Sequence, residues 1–181
     1  MQYKIIQANK AYADKFRLMC QRTFEEVYPN KERGITKALF SKEIFNHDPG
    51  VVAWWSELAT PTEAQKAWFA IDKQDDVIGG VVAHRLTDYV EMKTFYVVPE
   101  YQGRGIGRQL YNKVLEFAGP QPIQVDVVEY LDKTIEMYKH WGFEVDKSRG
   151  AITYPWSMWP KEAIESYKGI YMVKKGSAQN S

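Results

Sequence analysis

The stretch that most constrains this chain runs from Phe95 to Ala118, beginning Phe95-Tyr96-Val97-Val98-Pro99. Aromatic and β-branched residues make its start a strand. Pro99 removes a ladder donor and stops it. A loop follows with glycine at Gly103, Gly105 and Gly107, and with Arg104 and Arg108 between and after them. Ile106, Leu110, Val114, Leu115 and Ala118 then recur at helical spacing. Strand, glycine-rich basic loop and helix together build an anion site. The first amides of a helix lack internal partners, and its dipole makes that end positive. Glycines let a phosphate approach the bare backbone, and the arginines add charge. The plainer reading is a tight strand-to-helix turn that only needs glycine.

Two familiar phosphate loops do not fit. A Walker loop needs Gly-Lys-Ser/Thr after four intervening residues, and no such string occurs here. The dinucleotide fingerprint needs a third glycine where Arg108 stands and an acidic residue about 20 positions on. Asp126 lies near that distance, but in a later strand beyond a long helix.

The rest of the chain reads as one domain over residues 1–175 with a disordered tail at 176–181. With 181 residues the chain can bury a sizeable core. A net charge of +1 gives no reason to expect nucleic acid or an anionic membrane as partner. Cys20 is the single cysteine, which fits a reducing compartment, and it sits among apolar helix positions where packing is expected. No basic-then-apolar leader and no long apolar run is present, so the expectation is a soluble, cytoplasmic protein.

In order, Tyr3–Gln7 reads as a strand, about 9–28 as an amphipathic helix and 37–45 as a second helix. His47-Asp48-Pro49-Gly50 breaks that helix. Residues 51–58 are helix or irregular, and Thr60-Pro61-Thr62 is a loop. Strands are expected at 67–72, 77–86 and 89–97. Gly79-Gly80 marks a bulge or close backbone approach. Ile123–Val128 is a strand buried on both faces. Asp132 is the expected cap of a helix over 133–141, and Gly142 its left-handed end. A strand start at 143–146, an aromatic loop at 154–160 and a strand at 170–174 complete the order β-αα-βββ-α-β-α-ββ.

Gln102-x-x-Gly105-x-Gly107, preceded by Val97-x-Pro99, resembles the acyl-CoA motif of the GCN5-related N-acetyltransferases (GNAT). Tyr138-Lys139-His140-Trp141-Gly142-Phe143 resembles that family's Tyr-x-x-x-Gly-Phe, and the element order matches its layout from end to end. The resemblance implies an α/β (α+β) acyl-CoA N-acyltransferase fold, with a mixed, mostly antiparallel sheet flanked by helices. It implies transfer of an acetyl group from acetyl-CoA to a primary amine of a small molecule, polyamine-like, or of a peptide. A non-catalytic CoA-binding module on the same fold is the alternative, and succinyl-CoA a different donor.

The same resemblance implies residue roles. Backbone amides of Tyr96, Val97 and Val98 would face the thioester and pantetheine. The diphosphate would lie on Gln102, Gly103, Arg104, Gly105, Ile106, Gly107 and Arg108. Tyr138 would protonate the CoA sulfur, or is a core tyrosine. Glu91 would be the general base, or is a surface carboxylate paired with Lys93; alternation puts it on the face of Lys93, Phe95 and Val97. Glu129 is a second candidate base. The family often has Asn where Leu131 stands, so one CoA contact is weakened. Trp54, Trp55 and Trp156, with Tyr154, Met158 and Trp159, would shape an amine site with acids drawn from Glu25, Glu26, Glu43, Asp48 and Glu57. Core or a homodimer contact is the other use of these aromatics. His84 and His140 read as surface or packing residues, and three histidines with one cysteine suggest no metal.

Overall fold

The computed structural model describes residues 2–58, 62–154 and 156–177, and side chains throughout these except at 56–58. Thr60, Pro61, Pro155, the side chain of Glu57 and the tail beyond residue 177 lie outside the described residues. Strand β1 (Tyr3–Gln7) leads through a 3-10 turn into helix α1 (Ala13–Val27). Helices α2 (Lys42–His47) and α3 (Pro49–Leu58) follow. Strands β2 (Gln65–Asp72), β3 (Val77–Arg85) and β4 (Val90–Val97) form an antiparallel meander. Helix α4 (Ile106–Ala118), strand β5 (Ile123–Val128) and helix α5 (Asp132–His140) come next. Short strands β6 (Glu144–Val145) and β7 (Ile152–Thr153), helix α6 (Lys161–Ser166) and strand β8 (Lys168–Lys174) close the chain.

All strands join one sheet in the order β1-β2-β3-β4-β5-β8-β6, with β7 also paired to β8. The β4–β5 pair is parallel and the others antiparallel. Helices cover both faces. Phe16, Met19, Cys20 and Phe24 of α1 pack with Phe40, Phe45, Trp156 and Trp159 on one face. On the other, Ile106, Leu110 and Val114 of α4 pack with Ile135 and Tyr138 of α5.

Local chemistry explains where the elements depart from the sequence reading. Lys37–Phe40 is a separate 3-10 turn, because Ser41 starts a new helix and accepts from Ile44 N at 3.4 Å. The ambiguous 51–58 segment is helix α3, set by Asp48 and by Pro49 at its first position. Asp132 is the first residue of α5 and not its cap; Leu131 holds that position with no side-chain bond. Gly142 does end α5 with φ +86°. Two elements escaped the sequence pattern, β7 and α6, both too short to show a period.

Gly80 shows why two glycines interrupt β3. A Cβ there would lie 2.5 Å from Phe16 Cε2 and 3.0 Å from Phe69 Cδ1. The bare backbone lets α1 settle onto the sheet. Opposite this point the β3–β4 register slips: Val82 pairs with Lys93 but Gly80 with Tyr96. Thr94 and Phe95 thus oppose Val81 alone, a β-bulge, and Thr94 takes φ +51°.

Candidate functional site

The bulge changes which way β4 presents its side chains. Val90 and Met92 share a core layer with Phe95 and Val97, while Tyr96 and Val98 pack in the opposite layer. Alternation then puts Glu91 and Lys93 on the face of Tyr96. The expectation that Glu91 shares a face with Phe95 and Val97 is corrected: the extra residue at Thr94 reverses the pleat between them.

The parallel β4–β5 pairing covers only Val90, Glu91 and Met92 against Ile123, Gln124 and Val125. Beyond Met92 the strands separate, and a cavity of about 730 Å³ extends along the gap. Val98 N donates to Ile78 O at 3.0 Å, so that amide is already spent. Alternation along the antiparallel ladder commits the Tyr96 amide to β3 as well, and turns the Val97 amide toward the gap. Of the three amides expected to face a thioester and pantetheine, that leaves Val97.

The glycine loop sits at one end of this cavity. Gly103 and Gly105 have φ +72° and +81°, conformations that cost an L-residue strain. No atom would meet a Cβ at either, so the backbone is bare toward open space. Gly105 is the N-cap residue of α4. Gln102 turns back, its Nε2 donating to Val97 O at 2.9 Å, and so ties the loop to the strand end. Gln102, Gly103, Gly105, Ile106, Gly107 and Arg108 line the cavity, whereas Val98 and Arg104 do not. The Arg104 guanidinium lies 5.7 Å from the Tyr101 ring centre. Lys133, at the start of α5, joins Arg108 in the lining and was not singled out by sequence. Bare amides, a helix N-terminus and two cations suit a diphosphate.

Tyr138 also lines the cavity, 3% exposed, its ring 5.3 Å from Phe143 and 6.4 Å from Phe95. Burial pushes its phenol well above the usual 10, so its hydroxyl is a permanent proton carrier and hydrogen-bond donor. Glu91 Oε2 lies 3.1 Å from Lys93 Nζ, and both side chains line the cavity. Facing them from β5 is Asp126, whose Oδ2 accepts from the Tyr154 hydroxyl at 2.9 Å. Burial raises the Asp126 carboxyl above the ordinary carboxylate range, the Tyr154 bond lowers it, and the Glu91 charge raises it again. Asp126 and Tyr154 complete a wall: Tyr154 was expected among the amine-site aromatics, whereas Asp126 was not expected at this site. The available signal was a lone carboxylate between Val125 and Val127 in an otherwise buried strand. Glu129 is turned away to an ion pair with Arg33.

Beyond this wall the cavity is aromatic. Phe24, Tyr28, Trp54, Trp156 and Tyr167 line it, and the Tyr28 and Tyr96 hydroxyls meet at 2.9 Å. Trp55 does not: it packs on Phe16 at 5.8 Å and on Phe45 at 5.9 Å, and faces a separate cavity on the other side of α1. Trp159 is a core residue, its Nε1 donating to Leu39 O at 2.9 Å. Asp48, expected among acids for an amine, is 0% exposed and structural. Its Oδ1 accepts from Gly50 N at 2.9 Å and Val51 N at 3.3 Å, and its Oδ2 from Met158 N at 2.6 Å. Glu25 reaches toward Lys37, and Glu26 and Glu43 are exposed. No group of three or more metal-ligating side chains occurs among the described residues, and no described helix is long and apolar enough to cross a membrane.

Three comparisons bear on this geometry. A stretch of 54 residues is 39% identical to N-alpha-acetyltransferase RimI of Mycobacterium tuberculosis and 41% identical to an uncharacterized protein of Mycobacterium leprae. It covers 30% of this chain but only 34% and 15% of those relatives. Among solved structures, the PaiA N-acetyltransferase of Thermoplasma acidophilum in complex with coenzyme A superposes with a TM-score of 0.60, at 18% identity over 97% of this chain and 99% of that one. A GNAT-family protein of Desulfovibrio desulfuricans gives 0.62, at 14% identity over 96% and 99%. A spermidine N-acetyltransferase chimera built in part from Vibrio cholerae gives 0.56, at 16% identity over 97% and 96%. Likenesses this distant in sequence show the fold. The profile of the acetyltransferase (GNAT) family matches residues 25–143, well over half of the chain, and with that match the chain belongs to the GNAT family.

Proposed function

We propose that this chain is an acetyl-CoA-dependent N-acetyltransferase that joins acetyl-CoA and a primary amine in one ternary complex. The observation that carries the reading is the gap between β4 and β5, which opens beside the bare loop of Gly103 and Gly105. A diphosphate on that loop leaves a pantetheine arm free to run along β4, where the Val97 amide can pair with it as a strand edge pairs with a peptide. The acyl carbon then reaches the wall of Glu91, Lys93 and Asp126, below Tyr138.

In the reaction the amine nitrogen forms a bond to the acyl carbon and the carbon–sulfur bond breaks. The ammonium loses two protons overall: one ends on sulfur and one in solvent. An ammonium cannot attack, so a base must act first. Glu91 was the base expected from sequence, but its nearest cation, Lys93, already balances it at 3.1 Å. Asp126 is better suited, because its raised proton affinity narrows the gap to an amine. Tyr138 serves as hydrogen-bond donor to the departing sulfur. The test is acetyl-CoA mixed with an amine panel while free thiol is followed. Release that depends on amine supports the reading; CoA binding by calorimetry without release for any amine would favour a binding module.

A further inference from the structure

Resting on that acetyltransferase reading, we infer that the acceptor is a monoamine carried on an aromatic body, not a polyamine. Charge and surface inside a single cavity decide between the two. Among the described residues the carboxylates lining it are Glu91 and Asp126, and both stand at the same wall. Lys93 offsets the first at 3.1 Å, leaving Asp126 to receive one ammonium. Among the described residues the space beyond offers rings and no further carboxylate: Phe24, Tyr28, Trp54, Trp156 and Tyr167. The acids on α1 and α2 that could have served a second ammonium face elsewhere, and Asp48 is consumed by four hydrogen bonds, counting Ser157 Oγ at 3.2 Å.

A second ammonium of a linear polyamine would therefore enter a desolvated aromatic space. Burying an unpaired cation carries a desolvation penalty that a cation–π contact alone returns only in part. A phenyl or indole body reverses the balance. It loses no hydration worth keeping, and edge contacts with such rings add attraction beyond area burial. The existing rings already meet edge to face, Phe24 on Tyr96 at 5.0 Å and Phe24 on Trp156 at 6.4 Å, so a further ring extends an established pattern. Trp54 borders this space and is only half-buried, so it has ring surface left to offer.

The experiment compares phenethylamine, tryptamine, propylamine, spermidine and a peptide with a free N-terminal alanine as acceptors, by thiol release from acetyl-CoA. The expected result is kcat/KM for the two arylalkylamines at least about tenfold above spermidine and the peptide, as about 1.4 kcal/mol of ring contact gives. Equal or better use of spermidine or the peptide would overturn the inference and leave the acetyltransferase reading intact. CoA binding with no thiol release for any of these amines would sink both. Trp54→Leu should raise KM for phenethylamine roughly tenfold while leaving that for propylamine within about twofold, and Trp54→Phe should restore most of the loss. If Trp54 were only packing, Trp54→Leu would lower Tm and move both amines alike.

Discussion

Lys93 Nζ lies 3.1 Å from Glu91 Oε2, two positions along one strand, with Asp126 facing the pair across the cavity. Asp126 thus titrates in the field of both charges, Glu91 raising its carboxyl and Lys93 lowering it, and substitution separates their parts. The free enzyme needs its base ionised, so kcat/KM should rise with pH through the Asp126 transition. Burial sets that transition high, and the negative charge of Glu91 adds to it. Glu91→Gln should therefore move the acidic limb to lower pH and keep most of the turnover. Asp126→Asn should remove the limb and lower turnover by about 10²-fold or more. The opposite pattern in the two pH–rate profiles would make Glu91 the base.

Asp126→Asn should also stabilise the protein. The folded state holds the Asp126 proton more tightly than the unfolded chain, because burial raises the carboxyl. Below the unfolded carboxylate value that preference is fully present; as pH rises through the raised folded value it is lost and the buried charge becomes a burden. The amide removes the burden at neutral pH and can still accept from the Tyr154 hydroxyl. Thermal denaturation at pH 7 should give a higher Tm for the variant, with the difference vanishing near pH 3. A lower Tm at pH 7 would show that the charge is compensated in the folded state.

Tyr138→Phe removes a hydroxyl that has no protein partner among the described residues and keeps the ring between Phe95 and Phe143. Turnover should fall by roughly tenfold to a hundredfold, the scale of one donor at a developing charge. Calorimetry should find acetyl-CoA affinity close to that of the parent. Unchanged turnover would remove Tyr138 from the mechanism.

Asp48→Ala should destabilise the fold by about 3 kcal/mol. It deletes the cap of α3 and leaves the amides of buried Val51 and of Met158 without acceptors. For a chain of this size that is a loss of about 6–12 °C in Tm. Scanning calorimetry at pH 7 decides it, and a change under about 2 °C would be too small for the role assigned.

Gly80→Ala should cost about 1–3 kcal/mol, because the new methyl lies 2.5 Å from the Phe16 ring and α1 must shift to admit it. The companion Gly80→Ala/Phe16→Leu should recover part of the loss by trimming the ring. Urea midpoints for the three proteins check both statements.

How much of this was legible in the chain depends on how local each feature is. The strand, loop and helix from Phe95 to Ala118 were legible because proline, alternate glycines and helical spacing each act within a few residues. So was the left-handed end at Gly142. The face of Glu91 was not, because it depends on a bulge that forms only when β3 brings Val81 opposite Thr94 and Phe95. The lost amide of Val98 has the same origin, since Ile78 claims it across the ladder. Asp126 and Tyr154 lie 28 residues apart, and no spacing rule joins them before β5 and β8 pair. Trp54 and Trp55 are neighbours in sequence, yet a helix turns consecutive side chains about 100° apart, so only the first reaches the cavity.

The left-handed Thr94 makes β4 a strand with a half-step in its stride. Removing that one residue would restore an unbroken pleat and swing the Glu91–Lys93 pair under α4, into oil, while the rings downstream kept their places. On the proposed reading, chemistry at one end of β4 and coenzyme pairing at the other share a single ribbon because a threonine sits where glycine would be more comfortable.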